Sequence, residues 1–228
     1  IRHRVEKLGF PSQSVSVLPN AVSFFLSADM QESIEEKIQT IRERRKSRIL
    51  LCLGAYYTHK NFEFVGDLLE CPDNELDDCL FVFTLDEHDS RVQSLLSRLS
   101  KINDGSNFLN VGPLKQDQLR FLFNEATCLF MPTLLESFSA SYLEARVFGI
   151  PTVTTDFDFS REICGDEAFY FDANDMSPAL RAINSAHVCA YDSAIQKAVV
   201  AATLPRTWSA ICSEIADILL DNRVNSKK

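Results

Sequence analysis

Cys79-Leu80-Phe81-Val82-Phe83 is apolar at all five positions rather than at alternate ones. A strand with one face in water alternates. A strand apolar throughout is buried on both faces, as in a parallel sheet covered by helices on each side. Outward from this segment, short β-branched or aromatic runs alternate with stretches of helical length and period. The pattern predicts strands over residues 14–18, 48–53, 80–85, 108–111, 127–131, 152–155 and 168–171. Helices are predicted over 30–46, 61–69, 90–99, 116–125, 140–148, 177–186, 193–202 and 207–220. Alternation at this spacing implies a doubly wound α/β domain. Such sheets bind ligands at the carboxyl ends of their strands, near the reversal of strand order. The loops after Leu53, Leu85, Val111, Met131 and Thr155 are therefore where a site is expected.

The chain of 228 residues is long enough to bury one large core. The longest mostly apolar run, 49–57, falls far short of the ~20 residues that cross a bilayer. No signal peptide is read, and an opening of Ile1-Arg2-His3-Arg4 without Met suggests a piece of something longer. A formal charge of -9 argues against nucleic acid, whose phosphates reward clustered Lys and Arg. The one basic run, Arg42 to Arg48, closes a Glu-rich helix, where it is expected to complement the carbonyl end of the dipole. The seven cysteines include no C-x-x-C pair. Cys52, Cys79 and Cys128 fall in apolar runs and read as small hydrophobes, which fits a reducing cytosol. The four histidines do not cluster with cysteines at ligand spacing, so no metal is expected. Residues 222–228 read as a polar tail.

The stretch that carries chemistry is Pro132-Thr133-Leu134-Leu135-Glu136-Ser137-Phe138-Ser139-Ala140-Ser141-Tyr142-Leu143-Glu144-Ala145. It leaves a predicted strand and enters a predicted helix that stops at Gly149, with Pro151 just beyond. Ser137 and Ser139 are natural N-cap residues. The first N–H groups of such a helix lack internal partners and carry its positive end, so they can hold a diphosphate without a glycine-rich loop. Glu136 precedes the helix and Glu144 lies more than a turn inside it. An ionised carboxylate only accepts hydrogen bonds, which suits it to adjacent sugar hydroxyls. One of the two can take a ribose and the other a hexose, with the diphosphate between.

Extended to "PTLLESFSASYLEARVFGIPTVTTD" (132–156), the segment resembles the signature of glycosyltransferase family 4 and its relatives with the GT-B fold. It matches at Pro132, Glu136, Phe138, Leu143, Glu144, Ala145, Gly149, Pro151, Val153 and Asp156. "VSVLPNAV" (15–22) resembles the family's interdomain junction, and "LGAYYTHKNFEFV" (53–65) the loop that brings a lysine, here Lys60, onto the donor diphosphate. "VGPLKQDQLRFLFNEATCLFMPT" (111–133) resembles the segment that contacts the base, and Trp208 the tryptophan that opens the closing helix.

The resemblance implies a Rossmann-like parallel sheet flanked by helices, the C-terminal half of a GT-B glycosyltransferase. Residues 1–22 would be an interdomain remnant, 23–221 the nucleotide-sugar-binding domain, and the N-terminal acceptor domain would be absent. It implies that Glu144 binds the ribose and Glu136 the transferred sugar. Lys60 and the amides near Phe138, Ser139 and Ala140 would hold the diphosphate. It further implies retention of configuration, a nucleoside-diphosphate sugar as substrate, and no cofactor or metal. The acceptor would be a glycan or a lipid-linked molecule, met in the cytoplasm or at the cytoplasmic face of a membrane through peripheral contact. The isolated chain is expected to bind donor weakly and to turn over nothing.

Several positions depart from the pattern. Ala55 stands where the family has an arginine, and Tyr56 or Tyr57 can supply a hydrogen bond but no charge. Ser137 and Ser139 stand where it has glycines, and either narrow the sugar pocket or donate to the sugar. His59 reads as a loop filler and Glu162 as a structural or capping residue. Asp156-Phe157-Asp158 spells the Asp-x-Asp of a metal–diphosphate site, yet lies where the resemblance implies a loop without metal. Phe81, Phe83 and Phe130 read as core. Two other readings stand beside transfer: a non-catalytic sugar-nucleotide sensor or scaffold, and a GT-B epimerase that needs no acceptor.

Overall fold

The structure is a computed structural model that describes residues 2–12, 15, 16, 21, 32–72, 75–191 and 208–225. The chain divides into two compact units, one of residues 1–23 with 205–228 and one of residues 24–204. In the smaller unit lie α1 (Arg2–Lys7) and α9 (Trp208–Asn225). The larger unit holds six parallel strands: β1 (Arg48–Cys52), β2 (Cys79–Phe83), β3 (Phe108–Asn110), β4 (Cys128–Met131), β5 (Thr152–Thr155) and β6 (Phe169–Phe171). Around them run α2 (Glu32–Glu43), α3 (Glu63–Glu70), α4 (Ser90–Leu99), α5 (Leu119–Glu125), α6 (Ala140–Val147), α7 (Asp158–Cys164) and α8 (Met176–Tyr191).

The strand order is β3-β2-β1-β4-β5-β6. The chain winds outward from β1, then returns to β1's other edge as β4, so the order reverses between these two strands. A doubly wound sheet opens a crevice beyond the strand ends at that reversal.

The uninterrupted apolar strands follow from covering both faces. Leu50 and Cys52 of β1, with Phe81 and Phe83 of β2, pack under α3, α4 and α8. Ile49 and Leu51, with Leu80 and Val82, pack under α2, α5 and α6. Alternate residues of one strand thus enter different cores.

The helix at 90–99 matches its predicted bounds because Asp89 caps it, its carboxylate accepting from the Arg91 amide. The helix predicted over 61–69 begins at Glu63, after a separate 3-10 turn at Thr58–Lys60, and the one predicted over 116–125 begins as a 3-10 turn, Gln116–Gln118. Helix α7 was not among the predicted elements. It spans under two turns, too short for its apolar residues Phe159, Ile163 and Cys164 to show a repeat, and the Ser160 hydroxyl holds its start. That hydroxyl accepts from the Phe157 amide at 3.2 Å and donates to the Thr155 carbonyl at 2.6 Å. The predicted helix 193–202 and most of the predicted strand 14–18 lie outside the described residues.

Arg42 lies in the last turn of α2, at the helix end that the sequence suggested, and the cations of the basic run also reach other elements. Arg42 pairs with Glu125 of α5 at 2.6 Å, Arg44 donates to the Gly105 carbonyl at 2.6 Å, and Lys46 to that of Asp77 at 2.7 Å. Buried Arg48 pairs with Asp78 and donates to Asn184 at 2.5 Å. Arg42 ties α2, Arg48 ties β1, and Arg44 and Lys46 tie the connection between them, to other parts of the fold. All seven cysteines are unbridged, and burial pushes the Cys79 and Cys164 thiols up to about 12. Among the described residues no helix is long and apolar enough to cross a membrane.

Candidate functional site

Neighbouring strands β1 and β4 each end in a loop at the reversal, and the two loops are strapped together. The His59 carbonyl accepts from the Leu134 amide at 2.7 Å and from the Thr133 hydroxyl at 3.0 Å. Asn61 donates through Nδ2 to the Pro132 carbonyl at 3.2 Å. Asn61 adopts left-handed backbone (φ 54°), which asparagine tolerates better than most residues, and this turns the chain from the Thr58–Lys60 turn into α3. Lys60 thereby reaches the second loop, where its Nζ donates directly to Oε1 of Glu136. Their side chains are only 12% and 10% exposed, so the pair is largely withdrawn from water. Gly54 (φ 131°) lies alongside: a Cβ there would sit 3.4 Å from Lys60 Cε.

Helix α6 is pinned over the same strand ends. The Tyr142 hydroxyl meets the Thr154 hydroxyl at 2.9 Å, and Thr154 donates to the Met131 carbonyl at 3.0 Å. Ser139 occupies the N-cap position, as the sequence suggested, but its hydroxyl makes no capping bond. Ser139 is buried, Phe138 and Ala140 are half-buried, and Ser137 is exposed. Glu144, buried in α6, takes a hydrogen bond from the Gln116 side chain, in the turn after β3. The two glutamates thus have different companions, Lys60 for one and Gln116 for the other. Burial raises the Glu144 carboxyl above its ordinary 4.5, and the Gln116 bond partly offsets that rise.

A group raised in the fold contributes stability that is full below its unfolded value and lost as pH climbs through its folded value. Glu144→Gln, which cannot ionise, is expected to raise the melting temperature by a few degrees at pH 7. The gain should vanish below about pH 4, because Glu144 is then protonated in both states. Thermal melts across that range check this, and an equal gain at every pH would refute it.

A cleft of about 510 Å³ opens between the loops after β1, β2 and β3 and the start of α6, lined by Gly54, Ala55, Tyr56, Arg91, Leu114 and Ser141 among others. Lys60, Glu136 and Glu144 are not in its walls. Gly54, against the Lys60 side chain, and Ser141 of α6 connect it to them.

Arg91 was missed by sequence reasoning. It grips Asp89 at 3.0 and 2.6 Å, and its guanidinium lies 5.0 Å from the centre of the Tyr56 ring. It lines the cleft beside Ala55, its charge paired with Asp89, which lines the cleft with Asp86. Arg91's reach follows from β2 lying beside β1, which no local pattern shows. The Tyr56 hydroxyl is already engaged with Glu63, a bond that with burial pushes the phenol up to about 12. The Tyr57 and His59 rings stack at 5.4 Å, so it is the His59 carbonyl that braces the site.

The other candidates lie apart from this group. Asp156 is held by Arg161 at 2.7 and 2.9 Å, which keeps its carboxyl below the usual range, and Asp158 accepts from the Phe159 amide at 2.8 Å. Glu162 is exposed in the last turn of α7. Among the described residues no three His, Cys, Asp or Glu side chains gather as a metal site would require.

A family model described as "Glycosyl transferases group 1" matches residues 33–190. Among solved structures, HepE of Anabaena in complex with UDP superposes with a TM-score of 0.75 at 14% identity, covering 96% of this chain and 61% of that one. The same protein in complex with UDP-glucose gives 0.72 at 13%, covering 96% and 61%. A glycosyltransferase from Rickettsia africae gives 0.77 at 13%, covering 95% and 59%. The chain spans about three fifths of the length of these structures, and at such identities the likeness is one of fold. No curated protein matches the sequence.

Proposed function

The chain belongs to the group 1 glycosyl transferases, and from that premise we propose that it binds the nucleoside-diphosphate sugar from which a sugar is transferred. Its sheet is the Rossmann-like fold of the C-terminal half of a GT-B enzyme. The observation that carries the proposal is the meeting of Lys60 and Glu136 at the reversal of strand order, beside the start of α6.

In this reading the 510 Å³ cleft takes the base, and the ribose leaves it past Ser141 to be read by Glu144 with Gln116. Lys60 and the amides near Phe138, Ser139 and Ala140 hold the diphosphate, while Glu136 accepts from hydroxyls of the hexose. When the bond from sugar to phosphate breaks, negative charge collects on the departing oxygen. Positive groups fixed there stabilise that state more than the ground state. Lys60 and the α6 dipole supply the charge, with no metal or cofactor called on. The sugar passes with retention to a glycan or lipid-linked acceptor held by a second domain, in the cytoplasm or at the cytoplasmic membrane face.

A ligand that binds only the folded chain raises its melting point. A panel of UDP-, ADP- and GDP-sugars at about a hundred times Kd is expected to include one that raises it by about 5–10 °C. A panel in which none does so sinks the reading. Product analysis with donor alone separates transfer from epimerisation. In a two-domain protein, unchanged biological output without Glu136 would mean a scaffold.

A further inference from the structure

We propose that the Lys60–Glu136 pair is a self-occupied form of the donor site, in which Glu136 stands where phosphate charge will act and so selects sugar-bearing diphosphates over bare ones. The inference rests on the donor-binding reading above.

The pair is held in place rather than merely near. The Leu134 amide and the Thr133 hydroxyl both donate to the His59 carbonyl, and Asn61 Nδ2 donates to the Pro132 carbonyl, so one backbone bond and two side-chain bonds join the loops. A ligand therefore meets Lys60 with Glu136 still beside it. An ammonium has three N–H donors, so Lys60 can serve phosphate and carboxylate together. The difficulty is the carboxylate. With both side chains about nine-tenths out of water, a phosphate arriving at Lys60 brings like charge against Glu136 where screening is weak. A bare diphosphate offers Glu136 nothing in return. A donor that still carries its sugar gives it hydroxyl hydrogen bonds, which offset the share of Lys60 it gives up. Bound donor is thereby favoured, and the diphosphate left after transfer is pushed out.

Inorganic pyrophosphate isolates this effect, since it has the charge without base or sugar. Titrated calorimetrically into the chain, it is expected to bind Glu136→Gln about tenfold more tightly than wild type. Glu136→Ala, which removes the charge without leaving an amide, should move the same way and covers the case of a Gln variant that folds poorly. Adding Lys60→Met to either should erase the gain. Equal or weaker binding by both charge-removing variants, or no pyrophosphate binding by any form, overturns the proposal. If nucleotide sugars raise the melting point while pyrophosphate gains nothing, only the selection idea fails. If pyrophosphate gains and no nucleotide sugar binds, the donor reading fails instead.

Discussion

Lys60→Met is expected to weaken nucleotide-sugar binding by about 10- to 100-fold and, in a protein carrying both domains, to slow transfer by about 10²- to 10³-fold. Hydrogen bonds to charged groups contribute about 1.5–3 kcal/mol, which sets the binding loss. Removing one preorganised group from a developing negative charge commonly costs about 2.7–4 kcal/mol of transition-state stabilisation, which sets the rate. Methionine keeps the unbranched stem that lies along Gly54, so the loop should hold its course. The fold should still weaken, by about 1–3 kcal/mol, because Glu136 keeps its charge in a site only 10% exposed and loses its cation. Lys60→Met with Glu136→Gln removes both charges and should recover most of that stability, yet no donor binding. Urea midpoints and nucleotide-sugar titrations on the three variants separate the two effects. Donor affinity in the single variant equal to wild type would remove Lys60 from the diphosphate.

The sequence displays what is local and hides what depends on neighbouring strands. Cys79 to Phe83 shows burial on two faces because both cores draw on alternate residues of that strand. The carboxyl ends of β1 and β4 were legible as the place for a site, and Glu136 and Glu144 as its acids. That Glu136 meets Lys60, 76 positions earlier, depends on β1 and β4 being adjacent, and no periodicity encodes adjacency. The bond from Gln116 to Glu144 was invisible for the same reason, as was Arg91 entering the cleft beside Ala55. The basic run shows the converse. Its charges and the helix end beside them were plain, but the groups they also reach were set by the fold. Helix α7 fails in a third way: at under two turns its apolar residues Phe159, Ile163 and Cys164 are too few to announce it, and the Ser160 hydroxyl helps fix its start.

Phe130→Ala tests whether the aromatic core at the centre of the sheet supports this site. Phe130 is fully buried on β4, two residues before the loop that carries Glu136. Its ring meets Phe81 edge-on at 5.6 Å and stacks on Phe171 at 5.8 Å, and Phe171 in turn stacks on Phe64 at 5.5 Å. The substitution therefore leaves a cavity bordered by β2, β6 and α3, none of which can close it without giving up contacts of its own. Phe-to-Ala changes in cores cost about 3–5 kcal/mol, a large share of the roughly 5–15 kcal/mol that holds a domain folded. The urea midpoint should fall by the corresponding amount with an unchanged slope, since the surface exposed on unfolding is nearly the same. Phe157→Ala is the control, because that ring is 37% exposed and should cost only about 1–2 kcal/mol. Where Phe130→Ala remains mostly folded, nucleotide-sugar affinity should be close to wild type, because the straps from His59 and Asn61 fix the site above the core. A loss below about 1 kcal/mol would mean that the stacked rings contribute little, and a large drop in affinity at full folding would mean that the straps do not insulate the site.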